Sequence, residues 1–162
     1  VSSDLVLIAG GLDQPMTDES SLELYRWRSN GRRGFREGGS LEHLPVDAQG
    51  AAQIWDRGFA AVTLPCEGSN PCPILLVGGE ERAGQASRRA LLLKLIQVED
   101  QGQLRWRVES QPLSQALPEP RWGASLSLLD DGSYFVAGGR TAPPSAAGEP
   151  AQAAYIYVPY SP

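Results

Sequence analysis

Residues 134–139 have the sequence Tyr-Phe-Val-Ala-Gly-Gly, a short apolar run that ends in a pair of glycines. The pattern occurs twice more, as Leu-Val-Leu-Ile-Ala-Gly-Gly at 5–11 and as Ile-Leu-Leu-Val-Gly-Gly at 74–79. A continuous apolar run of this length is typical of a β-strand buried on both faces, and paired glycines end it where the backbone turns sharply or closely approaches a neighbour. Three such segments, with glycine pairs 68 and 60 residues apart, indicate an internal repeat.

The segments before the second and third glycine pairs also match. Residues 57–62 resemble residues 121–126, with Arg57 aligned to Arg121. Each segment predicts a strand that precedes the glycine-pair strand. In the third unit the two strands are joined by Asp-Asp-Gly at 130–132, and Asp-Gly between apolar runs is a strong hairpin signal.

Each glycine pair is followed by a polar stretch and further predicted strands. These strands lie at 22–27, 90–96 and 154–158, with outer strands around Phe35 and over 104–108. The order is four antiparallel strands per repeat, joined by hairpins. The chain therefore supplies strands two to four of a first unit, all four strands of a second and strands one to three of a third, which makes ten in all.

This pattern resembles the Kelch repeat family, which has an apolar run ending in Gly-Gly, a Tyr on the next strand and a Trp on the strand after. The matching positions are Gly10-Gly11 with Tyr25, Gly78-Gly79 with Trp106, and Gly138-Gly139 with Tyr157. The second unit lacks the Tyr, and the first has Phe35 where Trp is expected. The resemblance implies an all-β fold made of Kelch-type β-propeller blades, each a four-stranded antiparallel sheet.

We expect one propeller segment over 1–162, with a partial blade at 1–45, a complete blade at 46–117 and a partial blade at 118–162. Closed propellers have about four to eight blades, so ten strands predict an incomplete ring. The remaining blades would come from further sequence, from other chains or from a second copy. Two copies would contribute twenty strands, numerically five blades. The start at Val1 favours a processed or excerpted chain.

The composition argues against a membrane-spanning chain and against a nucleic-acid partner. The apolar fraction of 41% is that of a globular protein, and no apolar run approaches the length of a membrane-spanning helix, so we expect no membrane span. The net charge of -5 comes from 19 acidic and 14 basic residues, without a long run of either sign. Phosphate binding needs clustered Lys and Arg, so nucleic acid is not an expected partner.

The two cysteines, Cys66 and Cys72, flank turn-forming residues that include Gly, Asn and Pro. A turn there allows a disulfide at the neck of a hairpin loop, worth about 2 kcal/mol for so small a loop. Two free thiols are the alternative, and a zinc site is less favoured because His43 is the only histidine. A disulfide implies an extracytoplasmic location: periplasmic, cell-surface or secreted.

No catalytic, metal or cofactor site is predicted. His43 is expected in a connector between blades, and no Gly-x-Ser-x-Gly motif accompanies it. The single histidine gives little support to the copper chemistry of some Kelch-like enzymes. Acidic pairs such as 80–81 and 130–131 lack the spacing of a calcium loop, and no phosphate-loop motif follows the glycine pairs.

In Kelch propellers the loops after the glycine pairs and the connectors that enter each blade gather on one face, where partners often bind. By that resemblance the candidate binding residues are Asp13, Glu80, Arg82 and Arg140 after the glycine pairs, with Arg57, Arg121 and Trp122 at the start of blades. Arg and Trp are enriched at binding hot spots. In the alternative interpretation, Arg57 and Arg121 link neighbouring blades and the tryptophans pack between them. The Pro-rich stretch 141–153 is expected to be an extended, mobile loop.

These observations favour a non-enzymatic binding or scaffolding module with a protein or glycan partner, or with other chains that complete the propeller. One alternative is the propeller portion of a secreted oxidase or glycan-active enzyme whose catalytic residues lie outside this chain. Another is an architectural subunit of a larger assembly.

Overall fold

The computed structural model describes residues 58–66, 71–80, 84–144, 146 and 148–158, together with the backbone of three earlier strands at 5–9, 22–27 and 39–43. This part of the chain contains ten strands and no helix, which confirms the all-β prediction. The strands are β1 (Leu5–Ala9), β2 (Leu22–Trp27), β3 (Gly39–His43), β4 (Phe59–Thr63), β5 (Ile74–Gly78), β6 (Ala90–Asp100), β7 (Gln103–Pro112), β8 (Ser125–Leu128), β9 (Tyr134–Ala137) and β10 (Tyr155–Tyr157).

The ten strands form three antiparallel sheets in chain order. The first sheet is β1-β2-β3, the middle sheet is β4-β5-β6-β7, and the third is β8-β9-β10. The predicted division into three, four and three strands is therefore confirmed. The third strand of the first sheet is β3, and the predicted outer strand around Phe35 lies outside the described residues. His43 does not lie in a connector as predicted, because it ends β3 and pairs with Glu23 of β2.

Short hairpins join the later strands. Between β6 and β7, Gln101 and Gly102 have positive φ angles of 51° and 76°, as the two central residues of a type I′ turn require. Between β8 and β9, the Leu129 amide donates to the Ser133 carbonyl (2.8 Å), and Gly132 has φ 82°. The predicted hairpin at Asp130–Gly132 is confirmed.

A disulfide closes the loop between β4 and β5. Cys66 and Cys72 are bonded, with their Cα atoms 5.6 Å apart, and the predicted pairing is therefore confirmed. Just inside it, the Leu64 amide donates to the Pro73 carbonyl (2.8 Å), so the disulfide extends the hairpin beyond its last strand pair.

The middle sheet packs on the third sheet through one shared core. Because side chains alternate between the two faces of a strand, β5 contributes only every second residue to this core. The core contains Ala60, Leu75, Val77, Ala90 and Leu92 of the middle sheet, Tyr134, Val136 and Tyr157 of the third sheet, and Leu64 and Leu117 from adjoining segments.

The other face of the middle sheet is buried as well. Leu76, Leu91 and Leu93 are each 1% exposed and do not belong to the core shared with the third sheet. All five residues of β5 are buried, which confirms for the second glycine-pair strand the expectation of a strand covered on both faces. The same expectation was wrong for β9, where Phe135 is exposed while Tyr134 and Val136 are buried. The middle sheet is therefore an inner layer.

Candidate functional site

The second and third glycine pairs lie at the same end of their sheets and are joined by the dipeptide Arg121-Trp122. The Gly79 amide donates to the Arg121 carbonyl (2.7 Å), and the Arg121 amide donates to the Ser87 carbonyl (2.9 Å). Trp122 and Arg140 exchange two backbone hydrogen bonds, of 2.9 and 2.8 Å. We call this continuous backbone connection, with the adjoining Glu80, the glycine-pair strip.

Close backbone approach explains why glycine is needed in both pairs. A Cβ atom on Gly78 would lie 2.5 Å from the Arg121 carbonyl oxygen, and one on Gly139 would lie 2.7 Å from the Trp122 carbonyl oxygen. Both glycines also have positive φ angles, of 70° and 81°, which other residues rarely adopt. The glycine pairs thus allow the Arg121-Trp122 segment to lie directly against both sheets.

Arg121 is fully buried, at 0% exposure, and its guanidinium bonds to groups of the same chain. One terminal nitrogen donates to the Gly138 carbonyl (2.7 Å), and the other donates to the Ala153 carbonyl and to Glu119 Oε1, the latter at 2.6 Å. The guanidinium carbon also lies 4.9 Å from the centre of the Tyr155 ring, a cation–π distance. These contacts fix the end of β9 to the start of β10 within the third unit, so the guanidinium does not link neighbouring sheets; the Arg121 backbone does.

The strand register changes the alignment of Arg57 with Arg121. Ala60 pairs with Val77 and Ser125 pairs with Ala137, and both partners directly precede a glycine pair. Ala60 therefore corresponds to Ser125, which places Arg57 in correspondence with Trp122. Gly58 and Gly123, with φ angles of 72° and 68°, also correspond under this register. The sequence alignment was wrong by one residue.

Three of the predicted binding residues occupy accessible positions on the strip. Glu80 is half-buried and forms an isolated bridge with Ala86. Trp122 is half-buried, with its indole against Gly58, where an added Cβ would lie 2.3 Å from Nε1. Arg140 is exposed, and its guanidinium donates to the Gly148 carbonyl. The remaining candidates, Asp13, Arg57 and Arg82, lie outside the described residues.

The described residues of 141–153 do not form the extended loop that was predicted. The Thr141 amide donates to the Glu149 carbonyl (3.0 Å), and the Ala151 amide donates to the Gly139 carbonyl (2.9 Å). Pro143 is fully buried. The described part of this stretch therefore folds back beside the third glycine pair. Three prolines among small residues gave no signal of this in the sequence.

Ser87 is a strip residue that the sequence analysis missed. It is 0% exposed, its amide donates to the Gly79 carbonyl (2.8 Å), and its Oγ accepts from the Arg89 amide (3.1 Å). A single serine in a polar stretch carries no pattern that would predict such a role.

At the other end of the third sheet, Asp131 has a structural role in the β8–β9 turn. Hydrogen bonds from the Ser133 hydroxyl (2.5 Å) and then from the Ser133 amide (2.9 Å) lower the pKa of the Asp131 carboxyl below its ordinary value. The turn therefore favours the ionised carboxylate.

Among the described residues, no group of three or more His, Cys, Asp or Glu side chains is placed to hold a metal ion. That part of the chain also contains no helix long and apolar enough to cross a membrane. No protein-family model matches the sequence, and no curated protein is significantly similar to it.

Proposed function

We propose that the three sheets are Kelch-type propeller blades and that the glycine-pair strip is a non-enzymatic binding surface for a protein or glycan partner. The blade arrangement is supported by the middle sheet, which is covered on both faces as an inner blade of a radial stack would be. It is also supported by the third sheet, which repeats the strand order of the first three strands of the middle sheet.

One observation carries the binding proposal: a single dipeptide joins the ends of two sheets and sets Glu80 of one and Arg140 of the other on one hydrogen-bonded strip. The strip offers a carboxylate, an exposed guanidinium and a half-buried indole. Charged and aromatic groups of this kind recognise polar protein surfaces and sugar hydroxyls. Because the backbone beneath them is fixed by hydrogen bonds, little ordering is needed when a partner binds.

The location proposed for this function is outside the cytoplasm. The Cys66–Cys72 disulfide supports this assignment, since disulfides form and persist in oxidising compartments.

A glycan array and a displayed random-peptide library, both screened with the purified chain, test the binding proposal. We expect the selected ligands to bind Glu80→Ala/Arg140→Ala about tenfold or more weakly. Asp100→Ala/Arg105→Ala is the matched control, because it removes an exposed acid–base pair (3.6 Å) near the β6–β7 turn, at the opposite end of the middle sheet. Equal loss in both variants, or no selected ligand, would contradict the proposal. Turnover of a bound glycan would contradict its non-enzymatic part.

A further inference from the structure

The third sheet has an exposed apolar face on the side away from the middle sheet. Phe135 of β9 and Ile156 of β10 lie opposite each other in the strand register and are 39% and 56% exposed. Ser127 of β8 pairs with Phe135 and is also exposed, and Val158, just after β10, is 45% exposed. We call Ser127, Phe135, Ile156 and Val158 the outer face of the third sheet.

The equivalent positions in the middle sheet are covered. Leu75 lies three residues before its glycine pair, as Phe135 does, and it pairs with Leu92. Leu75 and Leu92 are 0% and 2% exposed because they belong to the core shared with the third sheet. The same cross-strand pair of apolar residues is therefore buried under the third sheet in the middle unit and exposed in the third unit.

The sheet that covers Leu75 and Leu92 does so with Tyr134, Val136 and Tyr157. Val6 lies four residues before the first glycine pair and pairs with Tyr25. Tyr134 likewise lies four residues before the third glycine pair and pairs with Tyr157. Ile8 occupies the position of Val136 by the same count. The first sheet therefore carries Val, Ile and Tyr at the positions that the third sheet uses for covering.

From this correspondence we infer that the outer face of the third sheet binds the first sheet of a second copy of the chain. The first sheet of the same chain does not fill this place, since Phe135 and Ile156 are exposed. The contact continues the packing already formed between the middle and third sheets. It joins unlike surfaces, so two copies close into a ring when each supplies both surfaces. Three sheets in each of two copies make six sheets, four of them three-stranded, instead of the five blades that twenty strands would fill with four strands each. Six is within the range of about four to eight blades seen in closed propellers.

This inference rests on the proposed blade stacking and not on the glycine-pair strip as a ligand site. Native mass and light-scattering measurements over a dilution series test it with the full chain. We expect a species of twice 17.4 kDa. We expect Phe135→Lys/Ile156→Lys to raise its dissociation constant about thirtyfold or more, because a charge replaces an interface anchor. Leu104→Lys is the matched control, since Leu104 is a 70% exposed apolar residue on β7, and it should leave the mass unchanged.

A mixing experiment identifies the partner surface. Val6→Lys alone and Phe135→Lys/Ile156→Lys alone should each be monomeric, while an equimolar mixture should recover a two-chain species through its one intact interface. Circular dichroism of each variant checks that the strand content is kept. A monomeric wild-type chain, or a Val6→Lys variant that dimerises like wild type, would overturn the inference. Neither result would alter the expected effect of Glu80→Ala/Arg140→Ala on ligand binding, so the two proposals fail separately.

Discussion

Replacing Arg121 with alanine removes a fully buried guanidinium that contacts three acceptors. Glu119 is 31% exposed, so water can replace its hydrogen bond, but the Gly138 and Ala153 carbonyls would lose charged donors. A hydrogen bond to a charged group contributes about 1.5–3 kcal/mol, and breaking a buried ionic contact costs about 3–5 kcal/mol. We therefore expect Arg121→Ala to lower the free energy of unfolding by about 4 kcal/mol.

Urea denaturation followed by tryptophan fluorescence measures this loss. With a slope of about 2 kcal/mol per M, the midpoint should fall by about 2 M. Arg121→Lys should lose about half as much, because a single ammonium keeps the charge but cannot reach both carbonyls in the planar geometry of the guanidinium. Arg105→Ala is the control, since Arg105 forms an exposed pair with Asp100 and should change stability by less than about 0.5 kcal/mol.

A loss below about 1 kcal/mol for Arg121→Ala, or a loss equal to that of Arg105→Ala, would refute this reasoning. The guanidinium would then not be what holds the end of β9 to the start of β10. A cooperative transition with an unchanged slope is needed for the comparison, because a changed slope would report a different unfolded or native state.

Three further predictions concern the turns and the disulfide. Gly139→Ala should destabilise the chain more than Gly132→Ala, because an added Cβ meets backbone at 2.7 Å at Gly139 and nothing within 4 Å at Gly132; equal urea midpoints would contradict the close approach. Cys66→Ser should lower the free energy of unfolding by about 2 kcal/mol, because it removes the disulfide. A reducing agent should lower the urea midpoint of the wild type but not of the variant, and an unaffected wild type would show that the disulfide does not stabilise the fold. The lowered folded-state pKa of Asp131 means that its stabilising effect is present above the ordinary value and lost as pH falls through the folded-state pKa. Ser133→Ala should therefore raise the Asp131 pKa in a carboxyl NMR titration, and an unmoved pKa would show that the serine is not the cause.

The sheets could be predicted from the sequence because their signals are local. Each apolar run before a glycine pair gives a strand, and Asp-Gly or Gln-Gly between strands gives a tight hairpin. The five residues between the two cysteines, which include turn formers, also favoured the disulfide over free thiols. These features depend on neighbours in the chain, and the sequence shows those directly.

The details of the strip depend on contacts between distant segments. Arg57 and Arg121 align by residue type, but the hydrogen-bond register shifts the correspondence by one residue, which only the strand pairing reveals. Arg121 was predicted either to bind a partner or to link neighbouring blades, whereas its guanidinium bonds within the third unit to the Gly138 and Ala153 carbonyls, which lie 17 and 32 residues away in sequence. The folding back of 141–153 likewise depends on bonds to the third glycine pair.

The stacking of the blades depends on which face of the third sheet packs on the middle sheet. Methyl-resolved nuclear Overhauser spectra of the chain, with labelled leucine methyls and aromatic rings, measure this contact. We predict contacts between the methyls of Leu75 and Leu92 and the rings of Tyr134 or Tyr157. Contacts from those methyls to the Phe135 ring instead would place the opposite face inward and contradict the stacking of the sheets.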